Sequence, residues 1–356
     1  MIGRRADVVV VGGGITGVAT LRALARSGID AVLLEQFDLG HARGSSHGTS
    51  RIFRLSYPDV TYSRLALAAR EGWRELEREC HERLIVQTGT LDVGEETPNV
   101  EQSLRELDIA FELPSAATAA ERWGMEFEGD AQLVYQPEGG YSLADRSHAA
   151  LVASARAAGG TFVENEPVVS IDQRPGGVAL TTRSDGIDAR AVVVAAGAWA
   201  RGLLAPLGID LPVVATRETV AYFDLPGAEK LPPLIEYPSS VSPLPVGQAY
   251  YALPAPGRGL KAGVHHSGYD TDPDDMGTPD PAVVDATGTW LARRFPGANT
   301  APSATETCVY TNTADESFVI EAHERIVVAS ACSGHGFKFA PLHGSVIAAL
   351  AIEAAG

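Results

Sequence analysis

The residues best suited to chemistry form a glycine-rich motif near the start of the chain. Residues 12–17 read G-x-G-x-x-G and follow directly on an apolar run. Gly12 permits a tight turn, Gly14 lets the backbone approach a pyrophosphate, and Gly17 lets a helix and a strand pack closely. Glu35, at the end of the next apolar run, can accept hydrogen bonds from a ribose. This spacing predicts a dinucleotide site at a helix N-terminus, and a glycine-rich turn without a ligand is the alternative.

The basic residues are unevenly divided between two types. Of 28 basic residues, lysine occurs only as Lys230, Lys261 and Lys338. Because an ammonium group can shift its pKa and a guanidinium cannot, these lysines indicate positions where that property matters. Arg51 and Arg54 stand three apart in a loop rich in Gly, Ser and His, and a helical turn would place them on one face. We expect this loop at the ligand-binding edge of the sheet; a solvated loop with incidental charges is the alternative.

Composition excludes several classes of protein. The net charge of −17 argues against nucleic acid and anionic membranes as partners. Apolar runs of about 18 residues without glycine or charge are lacking, so no membrane span is predicted. Cys80, Cys308 and Cys332 are too few and scattered for a disulfide framework or a zinc site, and no metal is predicted. With no signal peptide before the first strand, we expect a cytoplasmic location.

The pattern of apolar residues predicts two kinds of architecture. Buried strands at 7–11, 31–34 and 191–199 alternate with helices, which is typical of a parallel sheet. The last of these ends in small residues, as a backbone lying under a cofactor requires, although a plain core strand is equally consistent. Further elements of this part are predicted as helices at 65–84, 146–159 and from 341, and strands at 161–164, 168–172, 177–182 and 326–331.

Two other segments do not continue this alternation. They contain predicted strands at 86–93, 132–136, 218–224, 249–252 and 259–265, with helices at 101–107 and 281–295. The predicted fold class is therefore α/β, with a Rossmann-like nucleotide-binding domain and an interleaved α+β domain built on a mostly antiparallel sheet. The first domain is assigned residues 1–84, 143–213 and 306–356, and the second, which would bind the substrate, residues 85–142 and 214–305.

Four motifs in order carry a resemblance across most of the chain. They are VVVGGGITG with Glu35, GSSHGTSRIFR at 44–54, GLKAGVHH at 259–266, and CVYTNTADESFVI with SGHGFKF within 308–339. The sequence resembles the flavin-dependent amine oxidases of the monomeric sarcosine oxidase and N-methyltryptophan oxidase family, within the D-amino-acid-oxidase-like superfamily. The motifs are specific for the family and much less specific for a substrate.

The resemblance implies FAD as the cofactor, attached covalently through a cysteine thioether. Cys308 stands at the matching position, although its local sequence alone would suggest a buried structural thiol. Gly334 and Gly336 are expected to admit the flavin edge and the substrate close to the backbone. The residues expected to contact the cofactor are Gly12, Gly14, Gly17, Glu35, Ser45, Ser50, Val168, Gly197, Cys308, Gly334 and Gly336.

The resemblance also implies which residues act near the flavin ring. His47 and Arg51 match cationic groups that favour flavin reduction; one charge at about 4 Å is worth roughly 4 kcal/mol at an effective dielectric constant near 20. Lys261 matches a lysine that promotes the reaction with oxygen. Tyr251 and His265 match residues that line the substrate side, although His265 could equally be a core histidine.

Arg54 and Lys338 match an arginine and a lysine that hold the substrate carboxylate. The implied activity is the FAD-dependent oxidation of a secondary amino acid of the N-methyl type to an imine, with O2 reduced to H2O2. Ser50 and residues 55–59, where the family's active-site lid begins, depart from the family pattern, so sarcosine itself is not fixed as the substrate.

Three alternatives remain open. The substrate could be a cyclic imino acid of the proline or pipecolate type, or the flavin could pass electrons to an acceptor other than O2. The glycine motif alone would also allow a NAD(P)-binding enzyme or sensor. The expected partners are a small amino acid and O2, with the chain a monomer or a small homo-oligomer.

Overall fold

The structure, a computed structural model, describes residues 4–240, 244–245, 247–275 and 277–356. Its strands are β1 (Arg4–Val11), β2 (Ala31–Leu34), β3 (Ser50–Phe53), β4 (Ile85–Gln87), β5 (Thr90–Val93), β6 (Leu133–Gln136), β7 (Gly140–Leu143), β8 (Thr161–Val163), β9 (Val168–Arg174), β10 (Gly177–Thr182), β11 (Gly186–Val194), β12 (Val214–Phe223), β13 (Leu234–Glu236), β14 (Ala249–Ala255), β15 (Gly259–His265), β16 (Tyr269–Asp270), β17 (Ala304–Asn312), β18 (Val319–His323) and β19 (Ile326–Ser330). Its α-helices are α1 (Ile15–Arg26), α2 (Val60–Cys80), α3 (Thr97–Glu106), α4 (Ala116–Trp123), α5 (Ala144–Ala157), α6 (Ala200–Leu204), α7 (Pro281–Arg294) and α8 (Ala340–Ala355).

The first sheet carries the glycine motif. It runs in the order β18-β19-β11-β1-β2-β8, and β10 and β9 extend it from β11. The central strand β1 is parallel to both β2 and β11. Val8 and Val10 share a buried cluster with residues of α1 and α8, whereas Val9 and Val11 share another with Val192 of β11. Burial on both faces explains the uninterrupted apolar run that opens the chain.

The second sheet is mostly antiparallel. Its order is β16-β12-β15-β14-β13-β5-β6, with β17 paired to β12, and the β13/β5 pair is parallel. Helix α7 covers one face, where Trp290 and Leu291 share a buried cluster with Phe223, Leu260 and Ala262. The predicted α/β fold class with an interleaved antiparallel sheet is confirmed.

One predicted domain boundary is wrong. The sequence analysis placed residues from 306 onward in the first domain, but β17 lies in the second sheet. Glu306 pairs with Val220, and Cys308 pairs with Glu218, both on β12. The partner strand lies far away along the chain, and the local pattern of β17 does not reveal it. The rest of the domain division remains a prediction.

A small third sheet, in the order β3-β7-β4, fixes the loop that precedes it. Strand β3 pairs antiparallel with β7. Arg51 and Arg54 do not share a helical turn, because Arg51 lies within a strand and Arg54 directly follows it. Residues three apart in an extended chain point to opposite sides. Both side chains nevertheless line the same cavity.

Several element bounds differ from the predicted ones for local reasons. Helix α2 begins at Val60 rather than 65, because Asp59 Oδ1 caps it by accepting a hydrogen bond from Thr61 N at 2.7 Å. It ends where His81 adopts a left-handed conformation with φ 54°. Helix α3 begins at Thr97 rather than 101, and β11 ends at Val194, so residues 195–198 follow the strand. The bounds of β2, β10 and β15 match the predicted ones.

Within the described residues, one helical segment is long and apolar enough to cross a membrane. It spans Gly336–Ala355, with a mean hydropathy of 1.2, and 56% of it is buried in the fold. It packs so closely on α1 that a Cβ at Gly344 would lie 2.6 Å from the Ala19 carbonyl oxygen. Packing against α1 accounts for its apolar composition.

Candidate active site

A cavity of about 1270 Å³ extends from the glycine motif of the first sheet to one face of the second. Typical small-molecule sites occupy about 300–1,000 Å³, so this cavity has room for a ligand larger than a single metabolite. Among the predicted site residues, Gly17 does not line it. Those that line it are Gly12, Gly14, Glu35, Ser45, His47, Ser50, Arg51, Arg54, Val168, Gly197, Tyr251, Lys261, His265, Cys308, Gly334, Gly336 and Lys338.

The glycine motif forms the turn that its spacing predicts. Gly12 has φ 107°, and a Cβ at Gly17 would collide with the Gly12 carbonyl oxygen, so Gly17 serves the contact between helix and strand. Glu35 is buried, and its Oε2 accepts a hydrogen bond from Gly13 N at 2.6 Å. Ser46 Oγ accepts one from Ile15 N at 2.9 Å and caps the helix that follows. The turn is therefore held in shape by the protein itself.

Strand register builds the opposite wall of the cavity. Residues that lie directly opposite each other on neighbouring strands project from the same face of a sheet. Six strands contribute one residue each to a continuous row, which consists of Asp92, Ile235, Tyr251, Gly263, Val220 and Glu306. This row crosses the sheet beside the cavity, and we call its face the substrate wall.

Three further predicted residues join the substrate wall by the two-residue period of a strand. Lys261 and His265 lie two positions on either side of Gly263, and Cys308 lies two positions beyond Glu306. A Cβ at Gly263 would lie 2.9 Å from the Tyr251 hydroxyl, so the tyrosine occupies the space that a side chain would need there. Register thus brings together residues from β14, β15 and β17.

Arg51 supplies a positive charge to the cavity. Its guanidinium donates to the backbone carbonyl oxygens of Ser45 at 2.8 Å, His47 at 2.5 Å and Ser50 at 2.8 Å. Among the described residues, no carboxylate lies within 4.0 Å of it. These neutral carbonyl oxygens orient the side chain, and no anionic group of the described residues neutralises its positive charge.

Lys261 is 6% exposed, and its side-chain Nζ forms no hydrogen bond with any described residue. Burial, followed by the repulsion of Arg51, lowers the pKa of Lys261 to about 7. Burial, Arg51 and Lys261 likewise lower the pKa of His47 to about 4. This pKa favours a neutral ring near pH 7 and leaves Arg51 as the stronger of the two predicted cations; the role of His47 beside the flavin stays a prediction.

Arg54 and Lys338 approach the cavity from either side of one tyrosine. The guanidinium carbon of Arg54 lies 4.1 Å from the ring centroid of Tyr57, and Lys338 Nζ donates to the Tyr57 hydroxyl at 2.7 Å. Arg54 Nη1 also contacts Asp92 Oδ1 at 3.1 Å and the Tyr237 hydroxyl at 2.7 Å. Lys338 has no carboxylate within 4.0 Å in the described part of the chain. Burial and the charge of Arg54 hold the pKa of Lys338 well below its ordinary value.

Three titratable side chains of the wall, those of His265, Tyr251 and Cys308, favour their uncharged forms. Burial lowers the pKa of His265 to about 4 and raises that of the Tyr251 hydroxyl far above its ordinary value. Burial also raises the pKa of the Cys308 thiol, while Lys261 and Arg51 oppose that rise. These three residues therefore present neutral donors and acceptors to the cavity.

Some predicted cofactor residues serve the protein rather than a ligand. Ser50 Oγ donates to the Pro254 carbonyl oxygen at 2.6 Å and joins β3 to β14, and Ser45 Oγ donates to that of Val309. A Cβ at Gly334 would lie 2.6 Å from His265 Cε1, and one at Gly336 would collide with a backbone oxygen. Neither glycine could carry a side chain here, and both line the cavity, so the expected close approach of the flavin to their backbone stays a prediction.

The sequence analysis missed four residues that shape the site. Ser46 lay within the predicted loop, and the lack of a capping side chain at Gly14 could have pointed to it. Asp92 and Tyr237 bind Arg54 but stand outside every motif, and Glu316 stands within one without having been singled out.

The chain is similar to known amine and amino acid oxidases over nearly its whole length. A monomeric sarcosine oxidase of Bacillus sp. (strain NS-129) is 33% identical over 97% of this chain and 92% of that protein. A peroxisomal sarcosine oxidase of Mus musculus is 34% identical over 98% of this chain and 92% of its own length. The open form of NikD, described as an unusual amino acid oxidase essential for nikkomycin biosynthesis, superposes with a TM-score of 0.87 at 28% identity, covering 98% of this chain and 94% of NikD.

The residues present fit FAD. The glycine turn and the N-terminus of α1 suit a pyrophosphate, and Glu35 lies where its carboxylate can meet a ribose. Lys261, together with His47 Nδ1, which is buried without a hydrogen-bond partner in the described part of the chain, supplies polar atoms that a polar ring system would satisfy. A family profile described as FAD dependent oxidoreductase matches residues 7–350. The resemblance is thus confirmed, and the chain belongs to the family of FAD-dependent oxidoreductases.

Proposed function

We propose that this chain is an FAD-dependent oxidase of secondary amino acids of the sarcosine and N-methyl amino acid type. It would convert R–NH–CH3, O2 and water to R–NH2, formaldehyde and H2O2. The observation that carries the proposal is the pair of buried basic side chains, Arg54 and Lys338, on either side of Tyr57. A carboxylate bound between them would raise the pKa of Lys338 and favour its charged form, so we call them the cation pair. The similarity to sarcosine oxidases over nearly the whole chain supports it.

The cation pair would hold the substrate carboxylate. Asp92 and Tyr237 use only Nη1 of Arg54, so Nε and Nη2 can still donate to an anion. Lys338 contributes an ammonium group that has no carboxylate partner in the described part of the chain. Charge-assisted hydrogen bonds from both groups, in a site that excludes most water, would select amino acids over simple amines.

The neutral groups of the wall would receive the amine. The uncharged ring of His265 can accept a hydrogen bond or a proton from the substrate ammonium, which must lose a proton before oxidation. The Tyr251 hydroxyl, which stays protonated, can orient the same nitrogen. Bound FAD would supply the acceptor for a hydride equivalent from the adjacent carbon.

Arg51 and Lys261 would favour the electron-transfer steps. Their positive charges would stabilise negative charge that develops on the cofactor and on oxygen during reduction. With a pKa of about 7, Lys261 can also deliver a proton near neutral pH. The Cys308 thiol lines the same cavity, which supports its assignment as the point of covalent attachment.

A cyclic imino acid of the proline or pipecolate type is the second candidate substrate. A flavin dehydrogenase with another electron acceptor is the third, and the presence of Lys261 beside the cavity argues against it. The cytoplasmic location and the monomeric or small homo-oligomeric state remain part of this proposal.

A substrate screen on the purified yellow protein tests the proposal. N-methyl amino acids, proline and pipecolate are supplied aerobically, and H2O2 and formaldehyde are measured separately. We expect both products from N-methyl amino acids and neither from N-methylamines that lack a carboxylate. Peroxide without formaldehyde would favour a cyclic substrate, whereas reduction of an artificial acceptor without any peroxide would contradict an oxidase.

The attachment of the flavin is tested on the same preparation. After acid precipitation we expect the yellow colour to remain with the protein pellet, and a Cys308→Ser variant should release it to the supernatant. Release from the unmodified protein would rule out the Cys308 linkage. A colourless protein that cannot be loaded with FAD would contradict the proposal as a whole.

A further inference from the structure

Three side chains that can bind metals meet at the substrate end of the cavity. They are His265 and His266, at the end of β15, and Glu316, in the loop after β17. One ligand atom from each lies within 4.8 Å of the others. His265 and Glu316 line the cavity. No metal was expected from the sequence, where only the three scattered cysteines had been considered as ligands for zinc.

The distances suit coordination better than hydrogen bonding. His265 Nε2 lies 3.7 Å from Glu316 Oε2, and His266 Nε2 lies 3.5 Å from Glu316 Oε1. Good N–H···O hydrogen bonds span about 2.7–3.2 Å. Two ligands bound tetrahedrally to zinc at about 2.1 Å lie about 3.4 Å apart. The carboxylate thus directs one oxygen toward each imidazole at the separation of metal ligands.

The cluster is held in place by its surroundings. The ring of Tyr310 lies 5.7 Å from that of His265 and 5.9 Å from that of His266, centroid to centroid. The backbone oxygen of Glu316 lies within hydrogen-bond distance of His335 Nε2, at 3.1 Å. His266 Nε2 is buried and has no hydrogen-bond partner in the described part of the chain. Buried polar atoms normally have a partner, so this ring nitrogen is available to bind a ligand.

We propose that His265, His266 and Glu316 bind one divalent transition-metal ion of the zinc class. Two imidazoles and a carboxylate are a ligand set that zinc accepts with a further position left for water or another ligand. Since His265 and Glu316 line the substrate end of the cavity, the bound ion narrows that end and competes with the substrate. We call this effect the zinc block. This second consequence rests on the proposed oxidase activity, whereas binding itself does not.

Binding is tested by calorimetric titration of the flavin-bound protein with Zn²⁺ at pH 7, after removal of metals with EDTA and dialysis. We expect one ion per chain. His266→Asn, chosen because asparagine tolerates the left-handed backbone at this position (φ 56°), should weaken binding at least about 100-fold. Glu316→Gln serves as a second variant if that protein does not fold.

The matched control is His323→Gln. His323 also pairs with a glutamate, Glu321, at 2.9 Å, but on the surface of β18. We expect its loss to leave the zinc affinity unchanged. No binding at 100-fold molar excess of Zn²⁺, or equal affinity in the His266 variant, would refute the site.

Competition between the bound zinc ion and the substrate, the zinc block, is tested by steady-state kinetics with whichever substrate the screen identifies. Zn²⁺ should raise KM several-fold without changing kcat, EDTA should reverse the effect, and the His266→Asn enzyme should not respond. An unchanged KM with one zinc ion bound would refute the block. If no substrate is found, the proposed oxidase has failed, and the titration still decides the metal site.

Discussion

The two ends of the cavity are built in different ways. At the cofactor end, the glycine turn and Glu35 lie within one strand–helix–strand unit, and hydrogen bonds to the side chains of Glu35 and Ser46 hold the turn. On the substrate wall, six strands drawn from residues 90–312 contribute one residue each to the central row. The first end depends on a local backbone shape, and the second depends on strand register.

This difference teaches where each end is vulnerable. A backbone turn with no spare space fails as a unit when any atom is added. A wall made of side chains from separate strands loses one interaction at a time, and the cost depends on the partner that is left behind. Substitutions at the two ends should therefore separate loss of flavin from loss of substrate.

The largest effect is expected for Gly17→Ala at the cofactor end. The added methyl group would collide with the Gly12 carbonyl oxygen, and the turn would have to open. We expect the purified protein to lose most of its flavin and hence its activity, measured by the ratio of absorbance at 450 and 280 nm. Gly129→Ala, where no atom lies within 4 Å of the new methyl group, is the control and should keep its flavin.

Arg54→Ala should abolish substrate selection and leave the flavin in place. Loss of two charge-assisted hydrogen bonds, each worth about 1.5–3 kcal/mol, should lower kcat/KM for carboxylate substrates by about 100-fold or more. Since Asp92 would be left buried without its cation, the free energy of unfolding should fall by about 3–5 kcal/mol.

The double variant Arg54→Ala with Asp92→Asn separates the two consequences of that change. Urea denaturation should show partial recovery of stability, because the isolated buried charge is gone, while kcat/KM stays low. Recovery of kcat/KM together with stability would show that Arg54 acts only through folding. Flavin lost from either variant would contradict the independence of the two ends.

Lys261→Met tests the substrate wall at a residue that lines the cavity. The rate constant for reoxidation by O2 should fall about 100-fold, because a cation worth up to roughly 4 kcal/mol is removed, while anaerobic reduction by substrate changes less than about tenfold. Stopped-flow absorbance measures each step. Lys230→Met, at an exposed position, is the control. Equal effects on both steps would refute the proposed role.

The smallest effect is a pH dependence of anion binding through Lys338. Burial and Arg54 depress its pKa in the free protein, and only the protonated form attracts a carboxylate. The inhibition constant of acetate, which has no amine, should therefore be constant at low pH and rise by up to about tenfold per pH unit above that pKa. Acetate binding to Lys338→Met should be weaker and independent of this titration; a parallel rise in both proteins would exclude Lys338.

The same contrast explains what the sequence could predict. The strand, turn and helix around Gly12 and the strand 259–265 follow from local apolar pattern and glycine spacing, and their bounds needed little correction. The strand at Arg51 was not predicted, because β3 is fixed by pairing with β7, which lies far along the chain. Asp92 was missed because register alone connects it to the site.

Protonation was also beyond local reasoning. His47 is placed where its motif suggests, but its charge depends on burial and on Arg51 and Lys261, which only the folded structure brings near. The residues that would bind the substrate carboxylate were identified through the resemblance, whereas the tyrosines that orient them were not. The protonation state of such a residue depends more on its burial and on nearby charges than on its residue type.

The single-file arrangement of the substrate wall has a consequence for how such enzymes diversify. Tyr251, Gly263 and Val220 touch across strands, yet each has different neighbours along the chain. New substrate ranges can therefore arise by single replacements at Tyr251 or Val220, whereas Gly263 is fixed because a Cβ there would lie 2.9 Å from the Tyr251 hydroxyl. In the glycine turn a Cβ at Gly17 would collide with the Gly12 carbonyl oxygen. Single replacements are therefore not tolerated there, and we expect the sequence of the turn to change far more slowly.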